Sequence, residues 1–347
     1  MSSGKRIKTR ILIISDTHGH IPLEKHPEAP STDDEFDWPD VKNVPMGFRD
    51  PLPEADVVLH CGDLTLRSDP IEFAETFSML RKCRAPLKLA IAGNHDMALD
   101  REYWAMRKRY IDPHMQMADE VQTIIEDAKV DGVQYLVEGD YTFDLANGAR
   151  LRVYASQFTP EFGGWGFQYD SDGHDFMIPD GVDVAMTHGP PRGILDYAGF
   201  DGIKAGCDFL FRSVHRAKPR IHCFGHIHEA WGAYLAHWQE PSNEHEINAR
   251  SVIDADKSKV IKKLPGLRPV HHIDDEEATR AKLQHLKELT KDRAIKVDIS
   301  EGENRVVQGE QTLFVNAAIM SIRYRPIQSP WLVDIDLPEA TEAKEVV

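Results

Sequence analysis

Short apolar runs rich in β-branched residues recur along the chain, at 10–15, 57–61, 87–92, 151–155, 182–187, 220–224 and 312–317. Runs of this length, bounded by glycine or polar residues, predict buried strands. Between them, 70–83 and 208–217 repeat apolar residues at the three-to-four spacing of an amphipathic helix. Strands alternating with helices predict an α/β fold. Residues 20–54 are rich in proline and acidic residues without periodicity, which predicts a loop over the surface. No internal repeat is visible.

Five of these runs end in a polar motif: Asp16-Thr-His18, Gly62-Asp63, Gly93-Asn94-His95-Asp96, His188-Gly-Pro and Gly225-His226-Ile-His228. Singly, each has an ordinary reading. An Asp after a strand caps the next helix, a lone His is a hydrogen-bonded core residue, and Gly-Asp or Gly-Asn makes a turn. Five such motifs in order at five strand ends are not explained by packing. On extended backbone Asp16 and His18 point the same way, offering one oxygen and one nitrogen to a single divalent ion. His226 and His228 share that spacing. The carboxylate of Asp63 can bridge two cations about 4 Å apart, and Asn94 adds a neutral oxygen.

The ordered series D-x-H, G-D, G-N-H-D, H-G-P and G-H-x-H resembles the calcineurin-like metallophosphoesterases. The surrounding text, ISDTHGHIPL, ADVVLHCGDLT, KLAIAGNHD, WGF and IPDGVDVAMTHGPPRG, with 218–229, is similar to the metallophosphoesterase-domain-containing subfamily. The resemblance spans about residues 10–235 and resumes at 312–317. It implies a single domain over 1–347, an αββα sandwich of two β-sheets flanked by helices. It also implies two divalent metal ions, manganese, iron or zinc. Asp16, His18 and His228 would hold one ion, Asp63 would bridge, and Asn94, His188 and His226 would complete the second site. By the same pattern His95 faces the substrate as the catalytic histidine and Asp96 lies behind it to orient the ring. Some relatives carry glycine at the position of His226; its presence here implies a competent hydrolase. A water shared by two dications loses its proton near neutral pH, and the resulting hydroxide attacks phosphorus in line.

Three residues outside the motifs are candidates for substrate contact. Trp165 and Phe167, in a glycine-rich loop, offer stacking surfaces, and Arg192 follows His188 closely enough to reach a phosphate. The net charge of −16 and the lack of a Lys/Arg cluster near the motifs disfavour long nucleic acid as substrate. A small phosphodiester, cyclic nucleotides included, is the expected substrate. The alternatives are a phosphomonoesterase acting on nucleotides or phosphoproteins, and a weakly active scaffold that binds metal and nucleotide.

Hydrophobic content of 41% is ordinary, and no apolar run is long enough to span a bilayer. The first ten residues are polar and basic, and the four cysteines lack C-x-x-C spacing, so a cytoplasmic protein is expected. Residues 239–308 form a polar insertion where the family has a short connection. They contain a helical stretch at 275–293 with Leu283, Leu286 and Leu289 on one side. The expectation for this insertion is a solvated appendage that can be deleted; the rivals are a docking surface for a protein partner and a lid over the metals.

Overall fold

The computed structural model describes residues 5–23, 47–106, 111–199, 202–241, 247–270 and 273–340. Most of the loop expected at 20–54 lies outside the described residues. In chain order the main strands are β1 (Arg6–Ile14), β2 (Val57–His60), β3 (Leu87–Ala90), β4 (Val133–Tyr135), β5 (Gly139–Asp144), β6 (Arg150–Ser156) and β7 (Val184–Thr187). They continue as β8 (Ile221–Phe224), β9 (Gly232–His237), β10 (Lys259–Lys263), β11 (Ile295–Asp298), β12 (Gln311–Asn316) and β13 (Trp331–Pro338). One sheet has the order β11-β13-β1-β2-β3-β4, the other β10-β9-β12-β8-β7-β6-β5.

Alternation along β1 shows why two sheets form. Ile11 and Ile13 face the space between the sheets, where they join Val153, Val184, Met186, Cys223 and Val315. Leu12 and Ile14 point the other way and pack under α1 (Pro70–Lys82) and α2 (Ile111–Ala128), against Phe73, Phe77, Val121 and Ile125. On the far side Tyr154, Ala185, Phe224 and Phe314 are covered by Leu210, Phe211 and Val214 of α3 (Asp208–Ala217). The four layers are the αββα sandwich that the resemblance implied. Helix α1 starts where the sequence says it should: Asp69 and Glu72 form a capping box around Pro70 at the first turn.

Central strands β1, β2 and β3 run parallel, as do β6, β7, β8 and β12. Their C-terminal ends therefore gather at one rim. The two sheets are also joined away from that rim. Arg220, 2% exposed, reaches from the start of β8 to β13, where its guanidinium donates to the carbonyl and carboxylate of Asp336.

The segment 239–308 is built into the sandwich, which corrects the expectation of a detachable appendage. Its strand β10 extends the edge of the second sheet through β9, and β11 extends the edge of the first through β13. Leu286 and Leu289 of α4 (Glu276–Asp292) are buried in the core between the sheets, together with Leu267, Ile299 and Val306. Its polar composition hid this, because only one narrow face of α4 is apolar. All four cysteines are buried and unpaired. No helix among the described residues is long and apolar enough to cross a membrane.

Candidate metal centre

The loops that leave β1 and β2 run side by side. Asp16 N–H donates to the Gly62 carbonyl (2.9 Å), His18 N–H to Asp63 (3.1 Å) and Gly19 N–H to Leu64 (2.8 Å). Asp16, His18, Asp63 and His226 all adopt the left-handed backbone, with φ of 54°, 47°, 51° and 65°. That conformation costs a non-glycine residue about 1–2 kcal/mol and is concentrated where the surroundings enforce it. Two glycines are required by close approach. A side chain at Gly93 would overlap Asp63 and His188, and one at Gly225 would overlap the Asp16 carboxylate.

These turns bring seven expected ligands together in two groups. Asp16, His18 and His228 form one, and Asp63, His188 and His226 the other; within each, the ligand atoms lie within 4.8 Å of one another. Asn94 joins the second group, its Oδ1 3.0 Å from His188 Nε2. Asp63 stands between the groups, with Oδ1 3.3 Å from His188 Nε2 and Oδ2 3.7 Å from His18 Nε2. The first sheet supplies Asp16, His18, Asp63 and Asn94, and the second supplies the other three histidines.

Hydrogen bonds fix which nitrogen of each ring faces inward. His18 Nδ1 donates to the Thr65 carbonyl (2.8 Å), His188 Nδ1 to Cys61 (2.9 Å) and His228 Nδ1 to Ser321 (3.2 Å). A carbonyl can only accept, so each Nδ1 carries hydrogen, and each ring, once it holds no second proton, turns an Nε2 lone pair inward. His18 Nε2 and His228 Nε2 face one another at 3.4 Å, and His188 Nε2 faces the Asn94 oxygen. Lone pairs converging on one another and on carboxylates are repulsive alone and attractive around a divalent cation, so the residues present fit metal ions. Burial pushes His18 and His226 down to about 4, keeping both rings neutral at pH 7. Burial opposes protonation of His188 too, but the charge of Asp63 and its hydrogen bond outweigh it and hold the ring at about 9; a bound cation would compete with that proton.

The expected catalytic pair is arranged differently from the sequence reading. His95 lies beside the groups, its ring 4.9 Å from that of His18 and its backbone N–H donating to Asp63 Oδ1 (2.9 Å). Its Nδ1 is held by the Leu66 carbonyl at 2.8 Å, not by Asp96. The Asp96 carboxylate instead accepts from the N–H groups of Gly93, Leu64 and Thr65 and from the Thr65 hydroxyl, all within 3.0 Å. Asp96 thus fastens the β3 loop to the β2 loop. Trp165 stacks on His95, ring centres 4.2 Å apart. Phe167 does not share this position: it is 6% exposed and packs edge-on to Phe158 inside its loop. Arg192 is exposed, with its backbone N–H on the Cys207 carbonyl.

Several functional neighbours carry no signal in the motifs. Tyr324, on the loop after β12, sits against His18, His228 and His95, with ring centres 5.0, 5.2 and 6.2 Å away. Two histidines within strands support the loops from below: His60 Nε2 meets the Thr17 hydroxyl and His222 Nε2 the Thr187 hydroxyl, both at 2.9 Å. Asn316 donates to the Ile227 carbonyl (2.9 Å) and so steadies the His226–His228 turn.

The family model of calcineurin-like phosphoesterases matches residues 9–230, which include every ligand of both groups. The chain belongs to this family. Its two ligand groups suit the dinuclear metal centre typical of that family. Among curated proteins it is similar to Metallophosphoesterase domain-containing protein 1 of Homo sapiens and of Mus musculus. Each is 33% identical over 195 residues, covering 52% of this chain and 56% of the relative. It is also 31% identical to Probable rhamnogalacturonate lyase C of Emericella nidulans, over 54% of this chain and 16% of that protein. The chain thus spans about half the length of the first two relatives. A solved structure, the calcineurin-like phosphoesterase YfkN from Bacillus subtilis, aligns with 82% of this chain and 99% of that one, at 13% identity and a TM-score of 0.33.

Proposed function

We propose that the protein hydrolyses small phosphodiesters at a two-metal centre. The observation that carries this reading is the pair of nitrogen and oxygen groups sharing Asp63, with three imidazoles locked so that Nε2 points inward. Asp16, His18 and His228 would hold one ion, and His188, His226 and Asn94 the other. When bound, two such ions supply an activated water and positive charge for the phosphate oxygens. The chain's own part is to place them and to present His95. Because Leu66 holds the Nδ1 hydrogen of His95, its Nε2 donates to a phosphate or leaving oxygen only as imidazolium.

Charge favours the diester over the monoester. Among the described residues, the hydrogen bonds and ion pairs of the two groups run to backbone and to Asp, His and Asn side chains, not to Lys or Arg. A singly charged diester needs less positive charge than a doubly charged monoester. The test is turnover of bis-p-nitrophenyl phosphate, p-nitrophenyl phosphate and cyclic nucleotides by manganese-loaded protein. The expected result is hydrolysis of diester in preference to monoester, abolished by chelation. Preference for the monoester would overturn the diester assignment, and no turnover by metal-loaded protein would leave a binding scaffold.

A further inference from the structure

The mouth of the metal centre carries two aromatic rings of different origin. Trp165 comes from the loop after β6 and lies nearly parallel to the His95 ring, at 28°. Tyr324 comes from the loop after β12 and touches the rings of both His18 and His228 edge-on. The tyrosine is 42% exposed, so one part of its ring packs on the ligands and the rest faces outward.

The tyrosine loop is firmly held. Tyr324 N–H donates to the Ser321 carbonyl and Ser321 N–H to the Arg325 carbonyl, both at 2.9 Å. The Gln328 amide donates to the carbonyls of His228 (3.1 Å) and Met320 (2.7 Å). Tyr324 itself has a φ of 52°, a conformation that this frame must maintain. Arg323, exposed and next to it in sequence, is a cation on a chain with net charge −16.

We infer that Tyr324, with Trp165, forms an aromatic mouth that selects phosphoesters bearing a flat, π-rich ester group. The phosphate would lie over the two ligand groups, and the planar substituent would rest on the outward face of Tyr324. This rests on the phosphoester reading of the site but makes a claim of its own about the organic half of the substrate. Stacking of a flat ring on an aromatic side chain is worth about 1–3 kcal/mol, roughly five- to 150-fold in affinity. The interaction is indifferent to the ring's edge chemistry, so selection is for planarity.

Phenyl phosphate and cyclohexyl phosphate share the phosphate and a six-carbon ring of similar size, flat in the first and puckered in the second. Calorimetric titration of both into manganese-loaded wild type, Y324F and Y324L tests the inference. Wild type is expected to bind phenyl phosphate at least fivefold more tightly than cyclohexyl phosphate. Y324F should keep that ratio and Y324L should bring it close to one, with metal content by atomic absorption unchanged in both. Equal affinities in wild type, or an undiminished ratio in Y324L, would overturn it. Parallel weakening of both ligands with metal loss in Y324L would make the tyrosine a shield for the ligands, and would also overturn it. Turnover of bis-p-nitrophenyl phosphate, read separately, reports on the phosphodiesterase assignment. A protein that prefers phenyl phosphate yet cleaves no diester would keep the inference and refute that assignment.

Discussion

Side chains two or three positions apart in this site have different jobs, and single substitutions should separate them. Asp63→Asn removes the charge facing both groups, so bound metal and turnover are expected to vanish together. His95→Ala leaves both groups intact and should keep metal stoichiometry while kcat falls by about 10²–10⁴. Asp96→Asn sets an amide N–H₂ against four converging donors. It should cost on the order of 3 kcal/mol of stability, read by denaturant titration, with a smaller effect on kcat than His95→Ala. If Asp96→Asn lowered kcat as much as His95→Ala without destabilising the fold, the orienting role given by the family pattern would return. The gathering of the candidate ligands was legible because five polar motifs in order at five strand ends are not explained by packing. The Leu66, Thr65 and Ser321 carbonyls that aim the rings were not, since every residue has a carbonyl and only the fold decides which is used. Tyr324 was missed for a related reason: it lies more than ninety residues beyond the last motif, in a loop without periodicity.

At the scale of elements, strands whose ends carry motifs are legible in the sequence, and most of those without motifs are not. The alternation Val333, Ile335 and Leu337 against Asp334 and Asp336 in β13 was a readable period-two signal. Helix α2 was harder to see, being long with a modest apolar stripe. The consequential misreading is the segment 239–308, whose polarity suggested a passenger. Since it lends a strand to each sheet, its replacement by a Gly/Ser linker should give insoluble or unfolded protein. A gentler check is Leu286→Ala and Leu289→Ala, side chains only 9% and 6% exposed. Each is expected to lower stability by about 2–4 kcal/mol, measured by denaturant titration with the metal centre loaded. Losses below about 0.5 kcal/mol would restore the view of α4 as a surface helix.

For the molecule as a whole, the division of ligands between two sheets matters most. Neither sheet holds a complete group: His228 of the second sheet closes the group of Asp16 and His18, and Asp63 of the first closes that of His188 and His226. Ions bound there would join the sheets at one rim, as Arg220 and Asp336 join them elsewhere. Bound metal should therefore stabilise the whole sandwich by mass action, by about 4 kcal/mol at a thousandfold excess over Kd. Thermal unfolding with and without a chelator checks this. A single cooperative transition shifted down by chelation is expected; an unshifted transition would mean that the groups hold metal too weakly to couple the layers.

The pairing of β1 with β13 has a mechanical side. Arg6 lies opposite Pro338 and Ile13 opposite Trp331, so the outer ends of this antiparallel pair emerge together at the rim remote from the metal groups. A force applied to residues 5 and 340 loads the rungs of that ladder one at a time, like a zipper opened from its tab. Rupture would then begin far from the site and travel toward it, and the ligands carried just beyond β1 would feel the pull last. Resistance to pulling along this axis should thus be low even in a protein that resists heat well.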